Sequence, residues 1–165
     1  MLQPGDIAPD FDLPVLVGGV KKRFRLDEQR GKRNIVLAFY PLNWEPVSAE
    51  QVVAYQVERE KFLELNTEIV TISVDSIMNT TAWEREIGPF DFPMCSDFWP
   101  HGEVTRQYGV FRDEIPLRGA AERAIFVVDR SRRIRFSQSY SLREIPAVDD
   151  VLAAIQPKNA VNIDE

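Results

Sequence analysis

Few side chains in this sequence could act as a nucleophile or a base. There is one cysteine, Cys95, and one histidine, His101. Those counts exclude a four-ligand Cys/His zinc site and any disulfide within the chain. A serine hydrolase would need a base beside its serine, and no spacing brings His101 to one. The segment most suited to chemistry is Tyr40-Pro41-Leu42-Asn43-Trp44-Glu45-Pro46-Val47-Ser48. It leaves an apolar run and ends where a helical pattern starts. A side chain at a helix start meets unsatisfied N–H groups and a positive partial charge. A thiol there would ionise readily, whereas a serine is milder. Ser48-Ala49-Glu50-Gln51 fits a capping box, so helix capping is the expected role of Ser48. Cys95 lies between Met94 and Ser96 in a short apolar piece, where inert core packing is expected and a nucleophile is the alternative. Arg123 opens an apolar strand and needs a partner if it is buried. Glu45 by itself reads as a solvated loop carboxylate. Trp44, Phe98 and Trp99 read as core aromatics, and His101 as a surface or capping residue.

The elements that must position these groups follow from periodicity. Asp10 to Leu13 and Lys22 to Leu26 are expected to be extended, with a turn at Gly18-Gly19. Asn34 to Tyr40 and Glu68 to Val74 are continuous apolar runs of the kind buried on both faces of a sheet. A loop is expected over Leu42–Val47 and a helix from Ser48 to about Leu65. That helix carries an imperfect apolar stripe, interrupted by Arg59, with Val53 and Val57 as a second patch. Asn79 to Ile87 reads as a helix capped by Asn79 or Thr80. Phe92 to Ser96 is a short strand, and His101 to Tyr108 a short helix with Pro100 in its first turn. Arg123 to Asp129 and Ile134 to Gln138 form a hairpin, and Val148 to Ile155 a closing helix. This order implies an α/β fold: a mixed sheet with helices on both faces, thioredoxin-like, with an N-terminal hairpin extension.

Composition sets outer limits. The chain has 165 residues, 44% hydrophobic and 28% charged, with a formal net charge of -6. One domain over 4–155 and a polar tail over 156–165 are expected. An acidic chain without a basic excess is a poor nucleic-acid binder. No apolar run approaches the roughly 18 residues of a membrane span. Met1 to Asp6 has neither a basic nor an apolar signal region, so a cytoplasmic location is expected.

The Tyr40–Ser48 segment resembles the peroxiredoxin signature, in which Pro, three residues, Thr, two residues and Cys surround the peroxide-reducing cysteine. Gly5-Asp6-Ile7-Ala8-Pro9-Asp10-Phe11 resembles the opening of the same family, and so does Phe92-Pro93-Met94-Cys95-Ser96-Asp97. Ser96 to Gly102 and Tyr108-Gly109-Val110-Phe111 look like the one-cysteine, alkyl hydroperoxidase E-type branch. Arg123 to Asp129 matches the strand that carries the family's catalytic arginine. The resemblance spans Gly5 to Ile155. It implies thiol-dependent reduction of hydrogen peroxide or organic hydroperoxides, without metal or bound cofactor. A thiolate attacks one peroxide oxygen, becomes a sulfenic acid, and is reduced by an outside thiol. With no second cysteine here, that reductant would be thioredoxin, a glutaredoxin-like protein or a small thiol. A homodimer is implied by analogy, and Trp44, Phe98 and Trp99 would then lie near the pocket or a subunit contact.

The resemblance places Pro41 at the proline position and Arg123 at the arginine position, and two positions depart from it. Ser48 stands where the cysteine belongs, and Glu45 where the threonine belongs. Oxygen cannot follow the sulfur oxidation ladder, so peroxide reduction at position 48 is expected to be lost. A carboxylate beside position 48 would raise a thiol's pKa and could bridge to Arg123, filling the oxyanion pocket. A Glu45–Arg123 contact is therefore expected. Two accounts of Ser48 stay open: a replacement made to freeze the site, and natural divergence to a redox-dead member that binds a ligand or protein partner through the old pocket, which the second departure favours. Thiol chemistry moved to Cys95 is a third reading.

Overall fold

The computed structural model describes residues 1–156. Strands β1 (Asp12–Val17) and β2 (Val20–Arg25) form the N-terminal hairpin. Its turn residues, Gly18 and Gly19, have φ of 55° and 79°. A two-residue hairpin turn requires that left-handed backbone, which glycine adopts without steric cost. Strands β3 (Asn34–Phe39), β4 (Thr67–Ser73) and β5 (Met94–Ser96) run parallel to one another. Helices α1 (Pro46–Leu63) and α2 (Ile77–Ile87) connect them. After the short α3 (Glu103–Gln107), β6 (Arg123–Val128) and β7 (Ile134–Tyr140) add an antiparallel hairpin, and α4 (Val148–Ile155) follows. The result is one seven-stranded mixed sheet in the order β2-β1-β5-β4-β3-β6-β7, the thioredoxin-like arrangement with an N-terminal hairpin extension that the sequence implies.

Alternation along β3 shows how the sheet divides two cores. Ile35, Leu37 and Phe39 join a cluster with Phe11, Phe24, Leu26, Tyr108 and Phe126. Val36, Ala38 and the following Tyr40 face the other side, against Val52, Tyr55 and Phe62 of α1, Trp83 of α2 and Val151 of α4. Both faces are covered, which is why this strand reads as an unbroken apolar run. Each large apolar side chain buried this way contributes roughly 1.5–3 kcal/mol. The imperfect stripe of α1 is also accounted for. Arg59 bonds to the buried Glu68 at 2.7 Å, and Val57 points to solvent.

Several expected boundaries move. The hairpin strands move towards the Gly18-Gly19 turn, from Asp10–Leu13 and Lys22–Leu26 to Asp12–Val17 and Val20–Arg25, because they pair with each other up to the turn, and Val15 and Leu16 also pair with β5. Helix α2 begins at Ile77, two residues early, because the Ser76 hydroxyl accepts the Asn79 N–H and serves as the cap instead of Asn79 or Thr80. Strand β5 starts at Met94, and α3 spans only Glu103–Gln107. Of the expected tail, all but Gln156 lies outside the described residues. Among the described residues, no helix is long and apolar enough to cross a membrane.

One feature of the topology positions the site. β6 runs antiparallel to β3, with Ala124 opposite Phe39. The start of β6 therefore lies beside the end of β3, where the chain turns into α1.

Candidate active site

The turn from β3 into α1 is held by a buried polar network. Pro41, directly after Tyr40, is buried. The Tyr40 hydroxyl donates to Asn43 Oδ1 at 2.6 Å, and Asn43 Nδ2 donates to Asn79 Oδ1 at 3.0 Å and Thr80 Oγ1 at 2.9 Å. The Asn43 N–H donates to Asp75 Oδ2 at 2.9 Å. Trp44 takes a positive φ of 71°, and its indole N–H donates to Asn79 Oδ1 at 3.1 Å. This fixed corner delivers Glu45 to the mouth of α1.

Glu45, and not Ser48, caps that helix. Its carboxylate accepts the Val47 N–H on Oε2 at 2.7 Å and the Ser48 N–H on Oε1 at 3.1 Å. Pro46 occupies the first helical position, where a missing N–H and a fixed φ are well tolerated. The helix thus starts two residues before the expected Ser48, within the expected loop. Ser48, in the first turn, donates its hydroxyl to Glu45 Oε1 at 2.8 Å. The capping-box reading of Ser48 and Gln51 is corrected accordingly.

Arg123, the first residue of β6, is completely buried and reaches into the same point. Its Nη2 donates to Glu45 Oε1 at 2.8 Å and to the Leu142 carbonyl at 2.7 Å. Its Nη1 donates to Gln51 Oε1 at 2.7 Å and to Ser48 Oγ at 3.2 Å. Gln51 in turn donates from Nε2 to the Tyr55 hydroxyl at 2.8 Å. The expected Glu45–Arg123 contact is present, as an ion pair with Glu45 23% exposed and Arg123 fully enclosed. Burial pushes the Glu45 carboxyl up. The Val47 N–H, Arg123 and Ser48 outweigh that and hold it below its ordinary value.

Glu45, Ser48 and Arg123 therefore converge, with Pro41 buried at the head of the same turn. Sequence reasoning missed Gln51 as the brace of the guanidinium. The S-x-x-Q spacing drew attention to the residue but suggested a different partner. It also missed the Leu142 carbonyl, for which no local signal exists.

The remaining candidates lie elsewhere. Cys95 is buried on β5, opposite Val15 of β1 and Ile72 of β4. Burial, with Asp97 nearby, pushes its thiol well above the ordinary range. His101 is exposed, and its Nε2 is 2.7 Å from the Gly119 carbonyl. Trp44, Phe98 and Trp99 were expected in the core and are instead 53%, 52% and 81% exposed. All three follow strand ends, in loops that project beyond the sheet.

Comparison with known proteins agrees with this architecture. The AhpC/TSA family model matches residues 4–137. Alkyl hydroperoxide reductase E of Mycobacterium tuberculosis is 35% identical over 158 residues, covering 94% of this chain and 99% of that protein. Peroxiredoxin-2 of Mus musculus is 31% identical, over 93% of this chain and 78% of that protein. Among solved structures, AhpC of Mycobacterium tuberculosis superposes with a TM-score of 0.84 at 25% identity, covering all of this chain and 96% of that one. The peroxidoxin BcpB of the same organism gives 0.80 at 26%, covering 94% and 97%. In sequence and in fold alike, this chain belongs to the AhpC/TSA family of peroxiredoxins.

Proposed function

We propose that this protein retains the frame of a peroxiredoxin peroxide site but does not reduce peroxide at position 48. The relatives carry the names alkyl hydroperoxide reductase and peroxiredoxin, and the family's chemistry is thiol-dependent peroxide reduction. In that chemistry the helix mouth and an arginine favour the thiolate and steady charge on the leaving oxygen. Here the corresponding nucleophile is the Ser48 hydroxyl. It donates its proton into a carboxylate already engaged with Arg123, and it cannot form a sulfenic acid. Glu45 takes the threonine position and occupies the donors that would receive a peroxide oxygen. Natural divergence accounts for both departures together. Such a protein works by binding through the old pocket, in the cytoplasm and as a homodimer. An outside thiol, such as thioredoxin, a glutaredoxin-like protein or a small thiol, becomes relevant only if sulfur is restored.

The observation that carries this reading is the convergence of Arg123 Nη1 on Ser48 Oγ at 3.2 Å within the first turn of α1. The test is hydrogen peroxide and cumene hydroperoxide consumption, with dithiothreitol as reductant, by the chain as written and by Ser48→Cys. The chain as written is expected to match the protein-free control, and Ser48→Cys to exceed it. Turnover by the chain as written that disappears in Cys95→Ala would reassign the chemistry to Cys95 and overturn the reading.

A further inference from the structure

A groove of about 640 Å³ opens at the end of the sheet opposite to Ser48, where β3 starts. Val127 of β6 and Ile134 of β7, both buried, lie behind it. The exposed Pro4-Gly5 segment lines it on one side. That segment is held in place, because the Gly5 N–H donates to the Ile134 carbonyl at 2.8 Å and Arg133 Nη1 donates to the Gly5 carbonyl at 2.8 Å. Ala154, Ile155 and Gln156, the end of α4, also line the groove, and the two apolar residues are only half-buried. Its charged border is basic. Arg135 lines it, and Arg130 and Arg133 are next in the chain to the lining residues Asp129 and Ile134. Arg130 and Arg133 are exposed, and among the described residues neither has an acidic partner, whereas Arg135 pairs with Asp129. A chain of formal net charge -6 thus presents a positive corner here. Gln156 leaves α4 in an extended conformation, with φ of -63° and ψ of 138°. The sequence continues over residues 157–165, with the apolar Ala160, Val161 and Ile163 followed by the acidic Asp164 and Glu165. At full extension that segment reaches up to about 30 Å.

We propose that this groove is a docking site for residues 157–165 of the same chain. Val161 and Ile163, two residues apart, share one side of an extended segment. They pack against Pro4, Ala154 and Ile155, and Asp164 and Glu165 meet Arg130 and Arg133. The segment begins at a residue that already lines the groove, so it is within reach by construction. Its apolar residues match the half-buried end of α4, and its acidic pair matches the unpaired arginines. Tethering decides between this segment and an acidic peptide from elsewhere. A short flexible tether supplies its segment at an effective concentration on the order of millimolar, which a free peptide must exceed. Once seated, the segment ties α4 to the β6–β7 turn and to Pro4-Gly5. The site is independent of the chemistry at position 48.

The test compares the amide resonances of Gly5, Asn34 and Arg135 in the full chain and in a chain ending at Gln156. Two full-length variants, Val161→Asp/Ile163→Asp and Asp164→Lys/Glu165→Lys, are measured beside them. Removal of the segment is expected to shift all three amides. Val161→Asp/Ile163→Asp is expected to reproduce those shifts, and the charge reversal to give part of them. The full-length variants carry the test should the shortened chain fail to fold. Amides that keep their full-chain positions in any folded variant overturn the proposal. So do changes confined to Lys61, Glu64 and Leu65, which line a second, smaller groove beside Gln156. Dilution of the full chain is expected to leave the three amides in place. Movement on dilution towards the positions of the shortened chain would mean that a second copy supplies the segment, and would overturn docking within one chain.

Discussion

Position 48 and position 95 divide between them what a reactive cysteine needs. Ser48 sits in the first turn of an 18-residue helix, beside a guanidinium, and lacks sulfur. Cys95 has the sulfur and sits between two strands, where burial keeps the proton on it. Placement decides reactivity: a thiolate is made by neighbouring positive charge and lost by desolvation. The contrast also extends to the surroundings. Cys95 lies in the apolar cluster with Val15 and Ile72, while Ser48 lies beside Glu45, Gln51 and Arg123, which are hydrogen-bonded to one another through the guanidinium.

The largest effect expected is from placing sulfur at the charged site. Ser48→Cys should consume hydrogen peroxide on the order of 10³-fold faster than the chain as written, with a further gain in Ser48→Cys/Glu45→Thr, where the competing carboxylate is gone. A double variant as inert as the parent would break the contrast. Next comes the native thiol. A disulfide reagent should modify Cys95 at least about 100-fold more slowly in the folded protein than in denaturant, since reaction requires opening of the sheet. Rapid labelling of the folded chain would place Cys95 among the reactive thiols.

Two smaller effects concern the ion pair. Arg123→Met removes the buried cation but leaves Glu45 partly solvated, so the loss is expected to be about 2–4 kcal/mol, at the lower end for a broken buried pair. For a chain of this length that corresponds to a melting temperature roughly 5–15 °C lower. A melting point unchanged within a degree would mean that the pair adds nothing. Acid sensitivity should be smaller still. Glu45 has its carboxyl lowered on folding, so its contribution is present above the ordinary carboxylate pKa and is lost as pH falls through the folded value. Thermal melts from pH 6 to pH 3 should therefore fall less steeply in Glu45→Gln than in the parent. Parallel curves would contradict the lowered value.

Much of the fold was legible because its strands are buried on both faces. The runs read at Asn34–Tyr40, Glu68–Val74 and Arg123–Asp129 carry their own signal and fall within a residue of the observed strands, and Gly18-Gly19 marks the turn between the hairpin strands. Helix starts were less legible. Glutamate is a rare cap, and Ser48-Ala49-Glu50-Gln51 imitates a capping box that the Glu45 carboxylate had already displaced. Ser48 and Arg123 are 75 residues apart, so no local pattern could join them. Only the family resemblance brought Arg123 to the helix mouth. The exposed Trp44, Phe98 and Trp99 were misread because large aromatics usually serve the core, whereas these belong to loops beyond the strand ends.

Ionisation of a thiol at position 48 reports whether Arg123 and the mouth of α1 act on that position. In Ser48→Cys/Cys95→Ala and in the same protein with Glu45→Thr added, thiolate absorbance can be followed against pH. The Glu45→Thr protein should titrate below the roughly 8.5 of a free cysteine, and the protein retaining Glu45 should titrate above it. Two curves that coincide at or above the free value would contradict the account, because neither Arg123 nor the mouth of α1 would then be acting on that position.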